Sequence, residues 1–159
     1  MPLTVRTATP ADVPVIVEYN RRLAQETEHK SLDPATVSAG VAAAIADPMT
    51  KGPYYLACDG ADVIGQLQVT LEWSDWRNGW FWWIQSVYVR AEHRGRGIFR
   101  ALYQHVRSRA CAAGNVIGIR LYVELENTAA QATYSRMGMS FLPYKVLEES
   151  LVPGYQLAK

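Results

Sequence analysis

The stretch Arg94-Gly95-Arg96-Gly97-Ile98-Phe99 constrains this chain more than any other, because it joins two segments of different periodicity. Before it, Trp80 to Val89 reads as a strongly apolar strand. After it, Ile98, Leu102, Val106 and Ala110 recur every fourth residue, the single apolar stripe of a helix. Glycines at such a junction let the backbone turn through positive φ and leave N–H groups uncovered. The first helical turn adds orphan donors and the positive end of a macrodipole. Arg94 and Arg96 place charge at the rim, which suits a pyrophosphate better than a lone carboxylate. The same residues also make an ordinary strand-to-helix turn, so the local motif leaves both readings open.

The composition narrows the ligand to something small. With 159 residues, 49% of them apolar, the chain can bury a core without disulfides or metal, and one domain over residues 1–159 is expected. Sixteen basic and fifteen acidic residues are interspersed and leave a formal charge of +1, so neither nucleic acid nor a bilayer surface is expected as a partner. Cys58, in a predicted strand, and Cys111, at the end of a predicted helix, stand outside any Cys-x-x-Cys or Cys/His cluster. Both read as buried thiols in a reducing compartment. No His/Cys/Asp spacing fits a metal. Met1 to Arg6 lacks the layout of a signal peptide, and no run approaches the roughly 20 apolar residues of a membrane helix. A soluble, cytoplasmic protein is the expectation.

Along the chain, Leu3 to Arg6 reads as a short strand, followed by a helix that Thr9 caps and Pro10 starts. A second helix is predicted over Asp33–Ala46, ended by Asp47-Pro48. Strands are then predicted at Tyr54–Cys58, Val63–Trp73 and Trp80–Val89, an antiparallel meander. Alternation in the last of these puts Trp80, Trp82, Ile84 and Tyr88 on one side and Phe81, Trp83, Val87 and Val89 on the other. Both faces are bulky, as in a central strand covered on each side. Gly114 ends the helix after the glycine turn. Val116–Val123 reads as another strand, Asn127 and Thr128 cap a helix through about Met137, and Ser140–Lys159 is predicted to supply one or two closing strands.

The order strand, Arg-Gly-x-Gly, helix, strand, Asn, helix with an internal Tyr, Gly resembles the GNAT superfamily of acyl-CoA-dependent N-acyltransferases. Ser86 to Phe99 is similar to the family's acyl-CoA signature, and Leu121 to Met139 to its strand–Asn–Ala–Tyr–Gly-Phe segment. Val5 to Asp12 is similar to the opening of many members. Glu92 stands where the signature usually has Gln or Arg, and Met139 where Phe is usual. The resemblance implies an α/β (α+β) fold. Its mixed, mostly antiparallel sheet would have about six or seven strands, splayed at the centre and flanked by about four helices. It implies acetyl-CoA as co-substrate, no metal, and a primary amine of a small molecule or peptide as acceptor. A homodimer would be ordinary for this fold.

Site residues follow from the same resemblance. The N–H groups of Arg94, Gly95, Arg96, Gly97, Ile98 and Phe99 would cradle the pyrophosphate. The pantetheine arm would lie along Val87, Tyr88 and Val89, where a backbone N–H could polarise the thioester. Asn127 is a helix cap or a cofactor contact. Tyr134, seven residues later, falls where the family places the tyrosine that protonates the leaving thiolate. Family members carry a catalytic acid at positions matched here by Tyr122, Gln85 and Ser86, and this chain has none there. Glu72 is therefore the first candidate base, with Glu124 second. The group Trp73, Trp76, Trp80, Trp82 and Trp83 reads mostly as core, with the turn Trp73–Gly79 also able to meet a cationic or aromatic substrate. The competing nucleotide-binding motifs fail, since no Walker lysine follows and Arg100 stands where a dinucleotide fingerprint needs its third glycine. A catalytically silent acyl-CoA-binding module is the other alternative, given the missing acids.

Overall fold

The computed structural model of the chain describes residues 2–154. The chain divides into two compact units, residues 1–122 and 123–159. The first opens with β1 (Leu3–Thr7), α1 (Val13–Glu28), α2 (Pro34–Ala46) and a one-turn helix α3 (Pro48–Lys51). Then come β2 (Tyr54–Asp59), β3 (Asp62–Ser74), β4 (Gly79–Val89), α4 (Ile98–Ala113) and β5 (Val116–Leu121). Helix α3 was not expected: Asp47-Pro48 ends α2 and at once starts a new turn, with Asp47 accepting from the Thr50 N–H.

The sheet order is β1-β2-β3-β4-β5, so among the described residues it has five strands, fewer than the expected six or seven. The first four run antiparallel, and β5 lies parallel to β4. A parallel neighbour needs a long crossover, and α4 supplies it. Helices α1 and α2 cover one face through Ile16, Val41 and Ala44 against Tyr54, Leu56 and Cys58. Helix α4 covers the other with Ile98, Leu102, Val106 and Ala110, the predicted stripe, together with Tyr103. Cys111 follows that stripe by one residue, about 100° around the helix, so it is exposed and not a buried thiol; Cys58 is buried as expected.

Strand β4 departs from simple alternation. Gln68 pairs with Gln85, but Gln66 pairs with Tyr88, so Ser86 and Val87 together oppose Leu67. Ser86 takes φ 51°, a left-handed value rare for a residue with a side chain. The bulge returns Tyr88 to the face of Gln85 and Gln66, where its ring meets Tyr19 of α1 at 4.9 Å. The alternation predicted from sequence had put Tyr88 on the face of Ile84. Nor is β4 covered throughout: Gly79, Ile84 and Tyr88 are buried, and the other residues of the strand are half-buried. Before it, Trp76 in the turn is 88% exposed and Trp73 near the end of β3 is 48% exposed, so these two lie outside the core.

The second unit contains α5 (Thr128–Arg136), close to its predicted bounds. Residues 139–154 form neither helix nor strand, so the expected closing strands are not present there; residues 155–159 lie outside the described residues. No helix among the described residues is long and apolar enough to cross a membrane.

The entry to α1 is tied to β1 by charge. The Asp12 carboxylate accepts from the Thr9 N–H at 2.7 Å and its hydroxyl at 2.9 Å, and from both ends of the Arg6 guanidinium at 2.7 and 2.8 Å. Asp12 is buried, and Arg6 first, then Thr9, holds its carboxyl well below the usual range. A depressed carboxyl stabilises the fold in full above its unfolded value near 4 and stops doing so as pH falls through the lower, folded value. Asp12→Asn should therefore destabilise the protein by about 2 kcal/mol at neutral pH, with the difference from wild type shrinking in acid; urea unfolding at several pH values measures it.

Candidate active site

The turn after β4 has the expected glycine geometry. Gly95 and Gly97 take φ 74° and 78°, and a Cβ on either would meet nothing within 4 Å, so the backbone there is open. Gly97 is the N-cap of α4 and makes no side-chain cap, which leaves the amides of Ile98, Phe99 and Arg100 facing outward from a sixteen-residue helix. The side chains of Ile98 and Phe99 face the protein instead: Ile98 is buried and Phe99 sits 6.3 Å from Tyr103. Backbone donors and helix dipole thus converge where an anion would bind.

The two rim arginines differ. Arg94 is held from three sides: its Nε donates to the Val89 carbonyl at 2.9 Å, its Nη2 to Glu26 at 2.6 Å, and its guanidinium lies 5.5 Å from the Tyr88 ring. The Tyr88 hydroxyl also donates to Glu26, at 3.2 Å. Arg94 therefore braces the turn against β4 and α1, its charge balanced. Arg96 and Arg100 are exposed and have no ion-pair or hydrogen-bond partner among the described residues, so they carry the uncompensated charge at the rim.

Beside this turn, β4 is left open. Its pairing with β5 ends at Ile84 opposite Leu121, while β4 continues to Val89 with β3 as its one strand partner among the described residues. Val87, Tyr88 and Val89 lie on that one-sided stretch, just past the bulge. The bulge is locked from behind. The fully buried Gln66 donates through Nε2 to the Ser86 carbonyl at 3.3 Å and to Asn20 Oδ1 at 2.7 Å, and Asn20 donates to the Tyr54 hydroxyl at 3.2 Å. The Gln66 Oε1 is buried with no partner among the described residues. Sequence reading missed this lock, although one glutamine inside the apolar run Val63-Ile64-Gly65-Gln66-Leu67 was its signal.

On the same sheet face, toward the other end of β4, Glu72 sits opposite Phe81. Its Oε2 accepts from the Trp83 indole N–H at 2.6 Å and from Arg120 at 3.1 Å. The Arg120 guanidinium lies 3.5 Å over the Phe81 ring, and Trp83 stacks on Tyr122 at 4.5 Å. Glu72 is thus joined to an arginine and an aromatic shelf, with Tyr122 59% exposed. Gln85 donates to the Thr70 hydroxyl at 3.1 Å. Arg120, a central member of this cluster, gave no signal in the sequence because its partners come from two other strands, Glu72 from β3 and Phe81 from β4.

In the second unit, the Asn127 Oδ1 accepts from the Ala130 N–H at 3.1 Å, the capping role. Tyr134 lies almost two turns later on the same side of α5. It is half-buried, and burial raises its phenol pKa above the ordinary value. Glu124 is exposed just before α5, its carbonyl accepting from Gln131 at 2.9 Å. Among the described residues there is no cluster of His, Cys, Asp and Glu suited to a metal.

A possible acetyltransferase from Clostridium difficile 630 is 40% identical, with a TM-score of 0.88 over 96% of this chain and 99% of that one. A predicted acetyltransferase from Clostridium acetobutylicum, solved with acetyl-CoA, shares the fold at 17% identity, with a TM-score of 0.76 over 94% and 97% of the two chains. Mycothiol acetyltransferase from Mycolicibacterium gilvum is 38% identical over 74 residues, 44% of this chain, and the chain spans about a quarter of that relative's length, 24%. Residues 18–139 match the acetyltransferase (GNAT) family, so the chain, with its open β4 edge and glycine turn, belongs to that family.

Proposed function

We propose that this protein transfers an acetyl group from acetyl-CoA to a primary amine of a small molecule or peptide, by direct attack of the amine on the thioester. The observation that carries this reading is the one-sided stretch of β4 ending in an uncapped helix start. The pyrophosphate would sit on the amides of Gly95 to Phe99, with Arg96 adding charge and Arg94 bracing the turn. The pantetheine arm would run along Val87 to Val89 as an added strand, and a backbone N–H there would hold the carbonyl oxygen as negative charge develops. An acceptor screen over polyamines, amino acids, aminoglycosides and peptide amino termini, read by thiol release from acetyl-CoA, tests the reading. Release no faster than background with every acceptor, despite cofactor binding, would sink it.

Tyr134 is the proposed acid for the leaving thiolate. Burial raises the pKa of its phenol, so the group keeps its proton through the neutral range and is available to the departing thiolate. Tyr134→Phe should lower turnover about 10- to 100-fold with acetyl-CoA affinity nearly unchanged, as judged by steady-state kinetics and calorimetry.

Glu72 is the proposed base or water relay for the acceptor ammonium, held in place by Trp83 and Arg120. In Glu72→Gln the acidic limb of the pH–rate profile should disappear. A profile superimposable on wild type removes Glu72 from proton transfer and leaves it as the anchor of the aromatic shelf.

Gly97→Val tests the cradle, since a branched side chain is strained at φ 78° and covers the amides. The KM for acetyl-CoA should rise at least about 10-fold, with a smaller effect on the acceptor KM.

A further inference from the structure

Two unfavourable features meet on the stretch of β4 beyond its pairing with β5. Ser86 holds φ 51°, a left-handed value that crowds the Cβ of any residue with a side chain against the backbone. Gln66, on the facing stretch of β3, is fully buried, and its Oε1 has no hydrogen-bond partner among the described residues. An apolar side chain would carry no such orphan. Backbone outliers and orphaned polar groups persist only where the surrounding structure over-determines them, and they gather at functional sites.

The surroundings of Gln66 decide which way its amide lies. Its Nε2 faces two oxygens, the Ser86 carbonyl at 3.3 Å and Asn20 Oδ1 at 2.7 Å. The Asn20 amide is oriented in turn, because its Nδ2 donates to the Tyr54 hydroxyl at 3.2 Å. Turning the Gln66 amide over would set its oxygen against both acceptors, so the nitrogen stays on Ser86 and Oε1 is left over. Tyr19, the neighbour of Asn20 on α1, lays its ring on Tyr88 at 4.9 Å and donates to the Val63 carbonyl, which fastens α1 to the same stretch.

Pinning the Ser86 carbonyl also fixes the amide bonded to it. The peptide between Ser86 and Val87 is planar and trans, so its C=O and N–H point in opposite directions. With the oxygen drawn to Gln66, the Val87 N–H is directed away from it. The geometry points to Gln66 as a positioning residue for acyl transfer: through the Ser86 carbonyl it sets the tilt of one peptide, and so aims the Val87 N–H at the thioester oxygen of an acyl-CoA laid along Val87 to Val89. Asn20 and Tyr54 hold Gln66 to that task from behind. The assignment rests on the acyl-transfer reading of the β4 edge and adds a residue that touches neither substrate. A donor aimed beforehand needs no rearrangement as charge develops on the thioester oxygen, which explains a buried amide with an unused oxygen inside an apolar run.

Infrared difference spectroscopy of acetyl-CoA with a heavy-carbon carbonyl reads the aim directly and needs no acceptor amine, because a hydrogen bond to a thioester oxygen lowers the carbonyl stretching frequency. In wild type the bound carbonyl should absorb at lower frequency than the free one. In Gln66→Leu it should return most of the way to the free value, while the Kd for acetyl-CoA rises less than about 3-fold and acceptor-dependent thiol release falls about 10-fold or more. Ser86→Val keeps Gln66 but cannot hold φ 51° without strain, so it should lose the shift too, and it serves where near-ultraviolet dichroism finds Gln66→Leu unfolded. The double variant should lose no more turnover than the worse single one, since both changes act on one peptide. An unshifted carbonyl in wild type, a full shift in both variants, or additive losses overturn the positioning role. Acetyl-CoA affinity lost in step with the shift also overturns it and makes Gln66 a support of the strand alone. If wild type does not bind acetyl-CoA, the cofactor reading falls and this role with it. A shift that the variants abolish, with every acceptor left unacetylated, sinks the transfer reading and upholds the aim of the Val87 N–H.

Discussion

Strand β4 is shared by two neighbours for part of its length and by one for the rest, and the site depends on that change. Up to Ile84 it is bonded to β3 and β5. Beyond it, β5 stops and β4 bulges at Ser86. A strand with a free edge inside a sheet is ordinarily a liability; here it lies next to amides that α4 cannot satisfy internally. Both features expose backbone donors, and backbone donors hold charge and extended chains irrespective of side-chain identity. The bulge keeps its shape because Gln66 pins the Ser86 carbonyl from the buried side, at the expense of leaving its own Oε1 without a partner among the described residues.

Local chemistry explains which parts of the fold were legible in the sequence. Helix bounds were readable because Asp33, Asn127 and Gly114 each satisfy or terminate backbone groups within a few residues of themselves. The meander was readable because its strands pair with their sequence neighbours. What escaped was set by distant partners or by one unusual dihedral. The bulge reversed the face of Tyr88, since a positive φ at a serine leaves no compositional mark. The closing strands expected over Ser140–Lys159 do not form among residues 139–154, where Pro143 and Pro153 interrupt the run.

The same division holds at the site. The glycine turn was visible because its function resides in backbone, and only glycine leaves that backbone open. Arg94 looked like a phosphate ligand by position, yet Glu26, sixty-eight residues earlier, takes up its charge. The residue pair could not be inferred from spacing. Arg96, one glycine further on, keeps the charge that the position suggested for both.

Glu72 shows why the acceptor is encoded separately from the acyl carrier. Its carboxylate and the Arg120 guanidinium cancel each other, so the shelf of Phe81, Trp83 and Tyr122 presents aromatic surface around a neutral pair and not a bare anion. A cationic acceptor binding there must compete with Arg120 for Glu72 or lie on the rings by cation–π attraction, and the second course leaves the ion pair intact. Replacing any of these side chains changes the shelf without touching a single amide of the glycine turn. A fold built this way can keep one acyl carrier while its acceptors diverge, because the first is held by backbone geometry and the second by side chains from three separate strands.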